Sequence, residues 1–239
     1  VGIVSDVTSA ERLEQTRRDY VANVSHELRT PLTAMRALIE PLRDGLVKTE
    51  EQRQQIYDVV LRETMRLSRL VNDMLELSRL QSGTASLSRS VFAPLPLFNL
   101  IHETYSAYAE DYQQTFVYDV PEDLPSVWGN PDRTQQVLIV LLDNAFKYTP
   151  EGGVVTLSAC AEGDVVRVRV RDTGVGIPAA DLPHVFDRFY KVDKSHHSKG
   201  TGLGLAIAYE IMKHLGEEMS VTSEPGQGSC FTFTLHIGQ

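Results

Sequence analysis

The sequence predicts two folds in series: an antiparallel helical hairpin that pairs with a second copy into a four-helix bundle, then an α/β sandwich. Three observations carry this. From residue 9 to residue 81, apolar side chains recur at three- and four-residue steps. Beyond residue 90, short alternating runs are mixed with apolar helical runs. Between them lies Gln81-Ser82-Gly83-Thr84-Ala85-Ser86, small and polar, which reads as a linker over residues 82–90.

In chain order, Val1 to Thr8 alternates like a strand and stops at a cap-like Asp6 and Thr8. A lone terminal strand has no sheet to join. Residues 1–8 therefore read as the last strand of an upstream domain, which makes the chain a fragment. The first helix carries Val21, Val24, Leu28, Leu32, Met35, Leu38, Ile39 and Leu42, and Gly45 is its stop. Pro31 falls inside that pattern and reads as a local bend, not a helix end. A second helix begins near Thr49-Glu50 and carries Ile56, Val59, Val60, Leu67, Leu70, Val71, Met74, Leu75 and Leu77. One hairpin cannot cover both stripes, so a homodimer is expected.

In the second region, residues 91–239, Phe92 to Tyr108 reads as a strand end followed by a helix. Arg133 to Phe146 reads as an apolar helix. Val154–Ala161 and Val165–Arg171 alternate as strands joined at Gly163-Asp164. Leu203–Leu215 is a helix. Met219–Ser223 and Ser229–His236 pair around Pro225-Gly226-Gln227-Gly228. Helices on one face of a mixed sheet fit this order.

Composition narrows the function. The chain has 239 residues, 42% of them apolar, which supports real cores. A net charge of -9 argues against a nucleic-acid surface. Cys160 and Cys230 form no disulfide framework and read as buried, reduced strand residues. No apolar run approaches the roughly 18 residues that span a bilayer, and no signal peptide is visible, so the expected location of this fragment is cytoplasmic.

The residues with chemistry fall into four groups. His26 is a candidate nucleophile, because a neutral imidazole is nucleophilic and titrates near neutrality. Its polar neighbours point it to solvent. Glu27 can hydrogen-bond one ring nitrogen and so raise the nucleophilicity of the other. Thr30 returns to the histidine's face of the helix. Asn144 lies in an apolar helical run, and its carboxamide oxygen suits Mg²⁺. Lys147, on the same face, can meet a phosphate, and Tyr148 either stacks on a base or packs in the core. Asp172 can accept a hydrogen bond from an exocyclic amine such as adenine N6, with Gly174 and Gly176 letting the backbone approach the base. Gly200-Thr201-Gly202-Leu203-Gly204 opens a helix, where free N–H groups bind phosphate. It is neither a P-loop nor a dinucleotide fingerprint. Phe186 to Lys191, including Tyr190, reads as the aromatic root of a lid that continues through His196-His197. His184 and His214 read as surface or packing residues.

At these residues the sequence resembles the sensor histidine kinases of bacterial two-component systems. Val21 to Leu32 is similar to the family's phosphoacceptor box, and Asn144–Thr149, Asp172–Gly176, Phe186–Phe189 and Gly200–Gly204 to its remaining boxes, in order. The resemblance implies a dimerisation and histidine-phosphotransfer hairpin over residues 9–81 and a Bergerat-type (GHKL) ATP-binding domain over residues 91–239. It makes residues 1–8 the end of a PAS-like sensor domain and the full-length protein membrane-anchored. It implies ATP and Mg²⁺ as cofactors, with Asn144 as the magnesium residue. Asn144, Lys147, Tyr148, Asp172, Gly174, Gly176, Tyr190, Lys191 and Gly200 to Gly204 are implied as the nucleotide site. It implies that His26 accepts the γ-phosphoryl group with Glu27 as general base. The group then passes to an aspartate of a response regulator, and Thr30 aims water for a phosphatase activity.

Three departures stand out. Val140 occupies a position usually polar in the family, Asn130 one usually Asp, and His214-Leu215-Gly216 replaces a His-Gly-Gly. Two other readings stay open: a plain ATPase of the same fold, and a degenerate dimeric scaffold that binds ATP and only relays a conformational signal.

Overall fold

The computed structural model describes residues 8–83, 88–192 and 200–238, and for residues 8–20 the backbone alone. The strand expected over residues 1–7, the centre of the linker and the His196-His197 stretch of the lid lie outside the described residues. The chain divides into two compact units, Val1–Met74 and Leu75–Gln239.

The first unit is a hairpin. Helix α1 spans Thr8–Arg43 and runs through Pro31 and Pro41, as its periodicity requires. It ends in a Schellman turn at Gly45: the Gly45 N–H donates to the Leu42 carbonyl (3.3 Å) and the Leu46 N–H to that of Pro41 (3.0 Å). Helix α2 spans Glu50–Gln81. Thr49 caps it, its hydroxyl accepting from the Gln52 N–H at 3.2 Å, and Glu50 and Glu51 favour the positive end of the helix dipole. Within this unit Pro31 and Leu70 are buried, whereas Val21, Leu32, Leu61 and Met65 stay exposed.

The second unit opens with the last turns of α2, where Leu77 and Leu80 are fully buried. The Glu76 carboxylate accepts from Arg133 through one oxygen and from Gln136 through the other (2.8 Å). Strand β1 (Ser90–Phe92) and helix α3 (Pro94–Asp111) follow, then β2 (Thr115–Asp119) and β3 (Val127–Gly129). Helix α4 is Pro131–Tyr148, then come β4 (Val154–Glu162) and β5 (Val165–Asp172). Helix α5 is Gly204–His214, and β6 (Met219–Glu224) and β7 (Gly228–His236) close the unit.

The main sheet has the order β2-β4-β5-β7-β6, and β1 pairs with β3 separately. Only β2 runs parallel to its neighbour, β4. One face of the sheet is the core: Leu157 lies opposite Val170, and Val170 opposite Phe231, all buried beside Phe98, Leu141, Leu142 and Ile211 of the helices. Burying such side chains contributes ~1.5–3 kcal/mol each before entropy is counted.

The other face carries Arg167, Arg169 and Arg171 on β5, beside the two cysteines. Cys160 and Cys230 are free thiols, but only half buried. They alternate onto the open face rather than into the core, which corrects the buried reading. Strands β2 and β3 are additions to the sequence reading. Asn130 caps α4, its side-chain oxygen accepting from the Arg133 N–H at 3.0 Å. After α5, Leu215 is buried and the Glu217 N–H donates to the Met212 carbonyl (2.9 Å), a Schellman turn that tolerates leucine where the resemblance expects glycine. His184 is exposed against Asp187, and His214 is half buried.

Candidate functional site

The candidate residues fall in both units. In the helical unit, His26 is exposed on α1. The Thr30 hydroxyl donates to the His26 carbonyl at 3.1 Å, so the threonine lies on the histidine's face, as a four-residue spacing requires. Glu27 is half buried, and its Oε2 lies 3.4 Å from Nη2 of Arg66 on α2. No spacing rule pointed to Arg66, because it lies on the other helix.

In the α/β unit, α4 supplies one wall. Val140, Asn144 and Lys147 share a face at helical spacing. Asn144 is half buried and Lys147 exposed. A Cβ on Gly200 would stand 3.2 Å from Lys147 Nζ, and one on Gly204 would stand 3.3 Å from Val140 Cγ1, so the glycine loop lies directly against this face. Lys147 Nζ donates to the Tyr148 hydroxyl at 2.8 Å and lies 4.4 Å from the Tyr148 ring centre. The Tyr148 ring is exposed, which corrects the core-packing reading of this residue. Its carbonyl accepts from the Val175 N–H at 3.2 Å, which ties α4 to the Asp172 turn.

Asp172 ends β5 and is buried. Its Oδ1 accepts from the Gly174 N–H at 2.8 Å and from the Ser229 N–H at 3.2 Å. Oδ2 has no partner among the described residues, so a carboxylate fixed by one oxygen keeps the other for an external donor. Burial pushes the Asp172 carboxyl up from the usual carboxylate range, against the pull of the two N–H donors. Gly174 and Gly176 are pressed against protein rather than left open for a base. A Cβ on them would fall 2.3 Å from the Tyr148 carbonyl oxygen and 2.1 Å from that of Glu224.

The glycine loop enters α5 without a side-chain cap, so the first N–H groups of the helix are satisfied by no capping side chain. Gly202 has φ of 72° and would place a Cβ 2.9 Å from the Phe189 backbone; both facts demand glycine. The Phe189 N–H in turn donates to the Gly202 carbonyl at 2.8 Å, joining the lid root to the loop. Phe186 stacks on Tyr209 at 5.0 Å and meets Phe231 edge-on at 6.3 Å, which is the aromatic anchor expected. Tyr190 donates its hydroxyl to Asp181, a lid-root contact that spacing did not reveal. The Thr201 hydroxyl accepts from the Leu203 N–H at 3.3 Å, and Lys191 is half buried.

These residues fit a nucleotide: an open carboxylate oxygen for an amine, and a lysine beside a close-packed glycine loop for phosphates. No group of three or more His, Cys, Asp or Glu able to hold a metal ion occurs among the described residues. Asn144 offers one neutral oxygen, which suits a Mg²⁺ held chiefly by phosphates.

Two family models match the chain. His Kinase A (phospho-acceptor) domain matches residues 16–83, and the histidine kinase-, DNA gyrase B-, and HSP90-like ATPase matches residues 129–239. The chain therefore consists of a domain of the His Kinase A phospho-acceptor family followed by a domain of the histidine kinase-, DNA gyrase B-, and HSP90-like ATPase family. Among curated proteins it is 40% identical to Sensor histidine kinase WalK of Bacillus subtilis (strain 168), over 98% of this chain and 39% of that protein. The chain thus spans well under half the length of that relative. Among solved structures it resembles full-length ShkA in complex with AMPPNP, with TM-score 0.68, 31% identity, and coverage of 92% of this chain and 46% of that one. It also shares the fold of histidine kinase ThkA, solved in complex with response regulator protein TrrA, with TM-score 0.76, 22% identity, and coverage of 99% and 68%. No helix among the described residues is long and apolar enough to cross a membrane.

Proposed function

We propose that the chain is the autokinase core of a two-component sensor: it moves the γ-phosphoryl group of ATP to His26 and then to an aspartate of a response regulator. The observation that carries this reading is the Asp172 carboxylate, held through Oδ1 with Oδ2 open, in the same chain as an exposed His26. The ShkA neighbour's bound AMPPNP and the ThkA neighbour's bound response regulator support the two partners.

In this reading the domains are residues 9–81, 82–90 as linker and 91–239, with residues 1–8 the end of a PAS-like sensor. Asp172 Oδ2 accepts from the adenine amine. Tyr148 covers the base, and Tyr190 and Lys191 close the site from the lid. Lys147 and N–H groups of the glycine loop other than that of Leu203 hold phosphate oxygens. Asn144 would hold Mg²⁺, which neutralises charge on the phosphates. One ring nitrogen of His26 forms the N–P bond as the bond to ADP breaks, and Glu27 takes the proton of the other ring nitrogen. Rate enhancement comes from alignment and charge stabilisation. Thr30 orients water for dephosphorylating the regulator.

The exposed Leu61 and Met65 fit a homodimeric four-helix bundle. The same reading makes the full-length protein one anchored in the bacterial cell membrane. The test is incubation with γ-labelled ATP and Mg²⁺. The label should be acid-labile and base-stable, absent from His26→Ala and Asn144→Ala, and chased onto a receiver domain. Label persisting on His26→Ala overturns the reading. Val140, packed on Gly204 where a polar group is usual, favours one rival, an ATP-binding scaffold without transfer. That rival predicts nucleotide binding with no label on any variant.

A further inference from the structure

The Lys147 ammonium is held by the next residue in the chain. Resting on the reading of Lys147 as a phosphate-binding residue, we propose that the Tyr148 hydroxyl is the positioning group for that ammonium: it fixes Lys147 Nζ beside the start of the glycine loop, ready for a phosphate.

Lys147 Nζ donates to the Tyr148 hydroxyl oxygen at 2.8 Å and stands 4.4 Å from the ring centre, within reach of a cation–π contact. A Cβ on Gly200 would lie 3.2 Å from the same nitrogen, so the ammonium sits against the first residue of the loop. Adjacent residues on a helix diverge by ~100° and do not face each other, so backbone spacing alone does not give this contact. Lys147 folds over the helix end to make it. Tyr148 is a firm support. It is the last residue of α4, its carbonyl accepts from the Val175 N–H at 3.2 Å, and a Cβ on Gly174 would fall 2.3 Å from that carbonyl oxygen. Thr149 follows, buried, and donates to the Ala145 carbonyl with its N–H at 3.1 Å and its hydroxyl at 2.7 Å.

A lysine ammonium is a point charge on a flexible stem. Untethered and exposed, Lys147 would spread over many rotamers, and an arriving phosphate would gather them at a cost in entropy. A tyrosine turns about only two χ angles, so it holds the ammonium with little freedom of its own. One of the three ammonium protons goes to the phenol oxygen, and two remain for phosphate oxygens. An uncharged phenol also directs the ammonium without cancelling its charge, whereas a carboxylate in that place would compete with the phosphate. The hydroxyl touches no phosphate in this scheme, so its influence is confined to ligands that carry one.

The experiment measures the Kd of ATP, ADP and adenosine on the whole chain with Mg²⁺, by calorimetry for the nucleotides and by NMR titration for adenosine. Tyr148→Phe is compared with wild type in two backgrounds, native Lys147 and Lys147→Met. The substitution removes one exposed oxygen and keeps the ring, so adenosine binding also reports that the site is intact. With native Lys147, Tyr148→Phe should weaken ATP and ADP about three- to tenfold, the size of one net hydrogen bond, and change adenosine less than about twofold. In the Lys147→Met background the same substitution should cost less than about twofold for every ligand, because residues acting as a unit are not additive. An equal loss for adenosine, a loss that persists in Lys147→Met, or no loss overturns the proposal while wild-type nucleotide binding stands. A Lys147→Met variant that binds ATP and ADP as wild type does overturns the phosphate-binding reading of Lys147, and this inference with it.

Discussion

The two units satisfy their apolar residues in different ways. In the α/β unit Phe98, Phe146, Leu142 and Phe233 are sealed between helices and sheet. In the hairpin Leu61 and Met65 remain 60% and 59% exposed, one turn apart on α2. The first unit leaves apolar side chains exposed on its helices, as the proposed dimer would use, whereas the second closes on itself. The candidate groups follow the same division. Asp172 is buried and fixed by two N–H donors, whereas His26 stands at the surface. On the proposed reading, a buried, fixed carboxylate suits the nucleotide site and an exposed imidazole suits the acceptor.

The sharpest way to break this comparison is Phe98→Ala, which should destabilise the α/β unit by about 3–5 kcal/mol in a denaturant melt. A small effect would mean that the core is not closed. Next is Asp172→Asn, which should weaken adenine-nucleotide binding by ~1.5–3 kcal/mol in calorimetry, the range of a hydrogen bond to a charged group. The same contact carries a pH dependence. Protonated Asp172 loses its accepting charge, so affinity should fall on acidification, and because burial raises this pKa, the fall should begin above the usual carboxylate range.

Leu61→Ala should leave the helical signal intact but loosen self-association by ~1–2 kcal/mol in sedimentation equilibrium. Loss of folding with no change in association would contradict the open-stripe account. Asn130→Ala, removing the α4 cap, should cost about 1 kcal/mol. The smallest effect is at Glu162, where hydrogen bonds from Arg167 and Arg169 hold the carboxyl down to about 2. Its stabilising contribution should be complete above the unfolded carboxylate pKa and be lost as pH falls from there through the folded value of about 2, which titration by NMR would follow.

Local signals gave most of the fold. The β4–β5 and β6–β7 hairpins are marked by Gly163-Asp164 and Pro225 to Gly228, and the helices by unbroken periodicity. Strand β3 is three residues long, and β2 is a five-residue edge strand whose pairing with β4 joins segments far apart in the chain. Neither offers enough alternation to stand out. The apolar neighbours of the two cysteines point to the core. Alternation puts them on the opposite face from Val155, Leu157 and Ala159. At the site, residue type and spacing pointed to Asp172 and the glycine loop. The supports did not show, because Ser229 reaches Asp172 across 57 residues and Arg66 reaches Glu27 across 39. Such contacts exist only once the chain has folded.

The central claim is that phosphorus becomes bonded to the imidazole of His26. Phosphorus NMR of the chain after incubation with ATP and Mg²⁺ tests it most directly. The account predicts a phosphoramidate resonance in wild type that is missing from His26→Gln. A phosphoester resonance, or a phosphoramidate that survives in His26→Gln, would contradict it.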